Sequence, residues 1–392
     1  MRTISLLLFL LLTLGCENFG TAKKPRQVQE LSYTIVDSIA LFNDSMAFRF
    51  VNPEKISENK ILAFQYPMLN LSLLDSTGQF VKEISRKGNL PGNFVSIFIL
   101  PLWDDNGNIF VIEQGDVSRL SIFNKNLAFE KSIHLLKDEY FIPAILSSTE
   151  IYKSPYDKGI RIITSINSNV YIEHDKKYYE EGFGIADITI NNSEVTSIQY
   201  RLPYKDMDYI KQALERDKKT WDSSTAYFKI WNNKLYVKFE FDNSVYVYNP
   251  DNFELEKEII LSPAYESKGY STPFGNIYKG DINKSVEGSF RIRASNLYYY
   301  DINVKDGCLF ILYRKPLPEN RIPTNAAEEE DTQYTSVLHI YDLSNDKEYT
   351  LDLPEMLSDY TRIYPLDRET VLFTGDEKVS EDIYLYKFKL IY

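Results

Sequence analysis

Cysteine is nearly missing from this sequence: Cys16 and Cys308 are the only two in 392 residues. With so few, no disulfide framework can hold the chain together, and stability has to come from a buried core. Histidine is almost as scarce. His134, His174 and His339 fall in three separate stretches, which does not give the three or four converging ligands that a zinc site needs. No Gly-x-Ser-x-Gly elbow is present, and no Ser or Cys sits in the strand-turn-helix context of an activated nucleophile. Cys308 opens an apolar strand and reads as a small packed hydrophobe. Positive charge is in deficit, with 44 Lys and Arg against 56 Asp and Glu and a net charge of −12. Such a chain repels phosphate backbones, so no nucleic-acid partner is expected.

The one long apolar run lies at the start. "MRTISLLLFLLLTLGC" carries a single cation, Arg2, then a run from Ile4 to Leu12 that is apolar apart from Ser5, then Gly15 directly before Cys16. This is signal-peptide grammar, too short for a permanent membrane span. Leu14-Gly15-Cys16 resembles a bacterial lipobox, in which cleavage precedes the cysteine and Cys16 carries lipid; Thr13 stands where that pattern usually has leucine. The expected organisation is a signal peptide over 1–15, a lipid-anchored tether over 16–30 and one domain over 31–392. Residues 17–30 are polar and without apolar period, as a tether requires.

Abundance begins with the aromatics. Tyr 30 and Phe 23 bring them to 14%, while alanine is sparse and Gly and Pro stand at 16 each, a composition that favours strands over helices. Short apolar bursts recur in pairs at 60–84, 108–135, 161–202, 234–261, 308–353 and 370–392. Within them one phrase repeats: Leu71, Leu73 and Leu74 before Asp75; Leu120, Ile122 and Phe123 before Asn124; Val245, Val247 and Tyr248 before Asn249; Val337, Leu338 and Ile340 before Asp342. A four-stranded antiparallel unit recurring without long intervening helices predicts an all-β chain, a β-propeller of about six blades, seven being the other count. Residues 31–50 supply a further strand, expected to pair onto the last blade and close the ring. Two stretches break the pattern. Met207, Ile210 and Leu214 have helical spacing within 205–221, and 315–333, with three prolines and four consecutive acids, reads as a long exposed loop.

"GNLPGNF" at 88–94 invites a phosphate-loop reading, but its cations precede the glycines and strand-like residues follow where a helix is required. Gly88, Pro91, Gly92 and Phe94 fit a turn joining two blades. Residues 84–133 resemble the blade signature of bacterial six-bladed propellers related to the NHL and TolB-like groups, in which a Gly-Pro-Gly-x-Phe turn precedes a strand and an Asp-x-x-Gly-Asn turn. Leu90 and Asn93 depart from that signature. More weakly, 293–317 resembles a Tyr-rich blade of TolB-like lipoproteins. The resemblance implies fold and cell-envelope location more than activity, because those families are largely uncharacterised.

Carboxylates form the one candidate metal set. Glu113, Asp116, Glu173, Asp175, Glu240, Asp242 and Asp376 each end an apolar strand, and convergence at one end of a ring would give oxygen ligands suited to calcium. Strands also end in polar turns for local reasons alone, so no cofactor is assigned. Tyr178-Tyr179 and Tyr298-Tyr299-Tyr300 are read as packing between blades. The expected function is an exported, lipid-anchored module of the cell envelope, at the outer membrane and facing the periplasm or the surface, that binds or scaffolds a protein or glycan and touches membrane only through its anchor. The alternative is a metal-dependent hydrolase or lyase using the channel carboxylates.

Overall fold

The computed structural model describes residues 28–41, 51–57, 60–65, 70–84, 102–104, 106–113, 119–135, 142–143, 148–153, 159–167, 176–192, 194–212, 214–215, 219–220, 225–268, 272–273, 282–357, 361–375 and 384–392. Six antiparallel sheets follow one another along the chain: blade 1 at 51–84, blade 2 at 102–134, blade 3 at 142–203, blade 4 at 226–260, blade 5 at 298–352 and blade 6 at 363–391. Every paired burst in the sequence is a blade, so the count is six. The first strands of successive blades pack against one another around the ring, and the later strands extend outward.

Blade order follows from burial. In blade 5 the two middle strands, Cys308–Arg314 and Ser336–Asp342, are buried at every position, because blades cover both of their faces; hence their continuous apolar character. Outermost strands are half solvated. Leu255–Ile260 of blade 4 and Phe80–Ile84 of blade 1 are mostly exposed and carry Glu and Lys.

The repeated Asp/Asn marks one turn between third and fourth strands. Asp75 Oδ1 accepts the backbone N–H of Thr77 at 2.8 Å and of Gln79 at 3.0 Å; Asn124 Oδ1 does the same for Asn126 and Ala128. Asn249 and Asp342 each accept from the residue two places on. All four turns then place one residue at positive φ: Gly78, Leu127, Phe253 and Asp346. A short polar acceptor that supplies the turn's missing hydrogen bonds is what makes Asp or Asn necessary there. The turns of blades 2, 4 and 5 also dock on the blade before. Lys82 donates to Asn126 O at 2.8 Å, Arg161 lies 3.6 Å from Asp251, and Lys257 lies 3.8 Å from Asp346.

The ring closes through the N-terminus. Strand β1 (Val28–Glu30) runs parallel to the outer strand of blade 5, with Val28 opposite Glu348. Leu31 is buried, its N–H bonded to Thr350 O at 2.8 Å. Strand β2 (Ser32–Ala40) then forms the outermost strand of blade 6, paired from Ser32 opposite Ile391 to Ala40 opposite Tyr384 with one register shift, at Val36. The expected closure onto the last blade is present. Residues 28–30, assigned to the polar lead-in from sequence, form β1, with Gln29 and Glu30 exposed and Val28 partly buried.

Three other readings change. The helix expected over 205–221 is a 3-10 turn, Tyr204–Asp206, and one short helix, Asp208–Gln212, with Lys219–Thr220 already extended; Met207 and Ile210 are buried as predicted. The loop at 315–333 contains a 3-10 turn, Glu319–Arg321, and a helix, Ala326–Asp331, whose first turn is capped by Asn325 accepting from Glu328 N–H at 3.0 Å. A 14-residue helix, Ile282–Ser295, separates blades 4 and 5 where no long helix was expected.

The buried pair of Arg161 and Asp187 ties adjacent strands of blade 3. Arg161 donates through Nε to Oδ1 at 3.0 Å and through Nη2 to Oδ2 at 2.6 Å, between the rings of Tyr152 and Phe253. Asp187→Ala removes both short hydrogen bonds of a buried guanidinium and leaves it only Asp251 at 3.6 Å; it is expected to cost about 3 kcal/mol in urea unfolding, whereas the double change Arg161→Met with Asp187→Leu should cost less.

Candidate functional site

Strand direction divides the connections into two groups. At one end, the first-to-second and third-to-fourth strands are joined by tight turns such as Asn232-Asn233 and Asp306-Gly307, all four residues at positive φ. At the other end lie the second-to-third and blade-to-blade connections, and these hold every helix of the described residues: α1 (Lys176–Glu181), α2 (Asp208–Gln212), α3 (Ile282–Ser295) and α4 (Ala326–Asp331). Two blade-to-blade connections pair with each other there, Lys219–Thr220 against Thr272–Pro273. The end of α3 and the excursion carrying α4 pack through Ala294, Leu317 and Tyr334, with Leu317 N–H bonded to Ala294 O at 2.7 Å.

Polar side chains bridge the first strands of blades 3 to 6, on the same side as these connections. Glu150 of blade 3 pairs with Lys229 of blade 4 at 2.6 Å. Asp301 of blade 5 lies 3.5 Å from Arg362, which precedes blade 6; its other oxygen accepts Ile363 N–H at 3.1 Å. Between these pairs, the hydroxyls of Tyr227 and Tyr298 donate to Glu240 Oε1 at 3.4 and 3.3 Å. Burial pushes the Asp301 carboxyl up, opposed mainly by Arg362; burial and then the Glu240 carboxylate push the Tyr227 phenol up. The belt sets fixed charges of both signs and phenolic hydroxyls on or beside inner strands, groups whose chemistry is hydrogen bonding and ion pairing.

Of the carboxylates singled out from sequence, Glu240 belongs to the belt. Asp242, two residues on, instead accepts Tyr246 Oη–H at 2.6 Å and Ser244 N–H at 3.1 Å, so the two serve different partners. Glu113 ends a strand of blade 2, opposite Arg119. Asp116, Glu173, Asp175 and Asp376 lie outside the described residues, as do Cys16, Gly88, Pro91, Gly92 and Phe94. Among the described residues no group of three or more His, Cys, Asp or Glu is placed to hold a metal. Lys229, Asp301 and Arg362 were missed by sequence reading. Asp301 had a signal: an acid directly after "YYY" and before Ile302, inside an apolar strand.

Other polar groups are structural. His339 and Glu348, both buried, meet at 2.9 Å, and Glu348 also accepts Ser262 N–H at 2.7 Å, locking blade 5 to the end of blade 4. Cys308 is buried and its thiol is pushed up to about 11, chiefly by burial, as a packed cysteine requires. Tyr178 and Tyr179 are buried on α1, and Tyr298, Tyr299 and Tyr300 are buried between blades, Tyr298 stacked on Tyr300.

No family model matches the sequence, and no curated protein is significantly similar to it. The ring is similar to the solved structure of a DUF4221-family member from Bacteroides vulgatus, with a TM-score of 0.65 and 13% identity, covering 93% of this chain and 99% of that one. A Bacteroides fragilis protein described as exported aligns with a TM-score of 0.53 and 14% identity, covering 96% and 98%. At such identities the likeness is one of fold. No described helix is long and apolar enough to cross a membrane.

Proposed function

We propose that this chain is an exported, lipid-anchored binding module of the bacterial cell envelope, which engages a protein or glycan partner through the helix-bearing end of its propeller. One observation carries the reading: every helix among the described residues lies in the connections at one end of the strands, while the other end carries tight turns such as Asn232-Asn233 and Asp306-Gly307. A scaffold that keeps blades constant and varies connections at one end concentrates recognition there. The lipobox at Leu14-Gly15-Cys16 supports the anchor, and the fold likeness to a protein described as exported is compatible with that location. The TolB-like and NHL-related blade signature at 84–133 belongs to the same reading.

Capture from envelope extracts tests the binding end. Arg321→Glu with Lys211→Glu, on helix-end connections, should reduce partner recovery at least tenfold, while Lys125→Glu with Lys347→Glu, on tight turns, should leave it unchanged; equal losses would sink the assignment. For the anchor, Cys16→Ala is expected to move the protein from the membrane pellet to the soluble fraction, and continued pelleting would remove the lipid from the proposal.

A further inference from the structure

The tether joins the ring at a definite place. Val28 pairs with Glu348, the first residue of the outer strand of blade 5, immediately after the tight turn at 343–347. The chain therefore enters the fold at the tight-turn end. We infer that the anchored propeller stands with this edge of blade 5 toward the lipid surface and its helix-bearing end turned away from it. The inference rests on the anchored reading above and adds the orientation.

Length and charge argue for this placement. Eleven residues, Glu17 to Gln27, separate Cys16 from the first paired residue. Eleven residues reach at most about 36–40 Å, and a random chain of eleven residues spans about 18 Å. Turning the helix-bearing end to the lipid would require the tether to run back along the ring's flank. That path covers a strand such as Ser336–Asp342, seven residues or about 23 Å, plus a helical layer about 10 Å thick, and so uses nearly the full extension. At the helix-bearing end α4 carries Glu328, Glu329 and Asp331 with no basic residue in the helix, and an anionic lipid surface repels that helix.

The test separates orientation from lipidation by replacing the lipid. The mature chain carrying Cys16→Ser and a hexahistidine tag before residue 16 is held on vesicles of phosphatidylcholine with a nickel-chelating lipid. A donor dye is attached at Lys347→Cys in the blade 5 turn or at Ala327→Cys in α4; both sites are exposed, and buried Cys308 takes no dye. Energy transfer to a headgroup-labelled acceptor is expected to be at least twofold greater from position 347 than from 327. Equal transfer, or greater transfer from 327, overturns the orientation. Should Lys347→Cys disturb folding, Asn252→Cys in the equivalent turn of the neighbouring blade 4, also exposed, provides the comparison. Failure of lipidation in cells appears in the Cys16→Ala fractionation instead and leaves this result standing.

Discussion

A chain beginning at Leu41, without β1 and β2, is expected to lose the folded monomer. β2 pairs over its whole length with Tyr384–Ile391, and Tyr33 stacks on Phe388 with ring centroids 4.6 Å apart. Its removal leaves blade 6 with three strands and an unpaired outer edge, a template for pairing between chains. Leu31 alone contributes about 2 kcal/mol by burial, the ring stack adds about 1 kcal/mol, and the lost ladder adds more. Domains of ordinary stability have only about 5–15 kcal/mol in total. Size-exclusion chromatography should show aggregates in place of a monomer, and any remaining unfolding transition should fall by at least ~10 °C. A synthetic peptide spanning 28–40, added in excess, should restore the monomer. A truncated chain that stays monomeric with an unchanged transition would show that the stitch is dispensable.

The second large effect concerns Lys238, which is wholly buried between blades 4 and 5. Its amine lies 3.3 Å from the centroid of the Tyr299 ring and donates to the backbone carbonyls of Phe239 and Asp242. Burial pushes it down to about 7, against the pull of Asp242. Between about pH 7 and the ordinary lysine value of 10.5, the unfolded chain holds a proton that the folded chain lacks, so this group makes stability rise with pH across that window. From pH 7 to 9.5, below the ionisation of unfolded tyrosines, the gain is about 3 kcal/mol. Urea titrations of wild type against Lys238→Met should show that difference in slope, with the methionine variant nearly flat. At pH 7 the variant should be the more stable by about 1–3 kcal/mol, because the desolvation cost disappears while two carbonyls lose a donor. Parallel slopes for the two proteins would contradict the assignment.

These two sites differ in how visible they were beforehand. Strand β2 could be read because an unpaired apolar stretch precedes six complete pairs, and a ring needs its last edge covered. Lys238 lies in a run, "KLYVKFEFD", whose alternation suggests an outward-facing lysine; the neighbouring blade places Tyr299 over it. Helix α3 was hidden for a related reason. Phe290, Ile292 and Ala294 alternate as a strand would, and the helix is favoured by contacts far along the chain, such as Leu317 N–H on Ala294 O. The helix at 326–331 did carry a local signal, Asn325 three residues before Glu328, but the acid run drew the reading toward a solvated loop.

The belt of Glu150, Lys229, Asp301 and Arg362 could not be assembled from sequence, because each residue comes from a different blade. Glu240 was singled out only as a strand end; of the tyrosines that partner it, Tyr298 was read as packing and Tyr227 was not singled out. "GNLPGNF" lies outside the described residues, and its reading as a blade junction rests on sequence.

By itself the sequence determined the unit and a count of about six: alternating apolar strands, an Asp or Asn that closes the outer turn in four of them, and a leading strand to complete the ring. Those features are local, set by the period of a strand and by the hydrogen bonds of a turn. Only the tertiary structure decided which polar side chains meet, which end of the ring carries the helices, and where the tether enters. Each of these depends on blades brought together from distant parts of the chain, and no local pattern encodes that geometry.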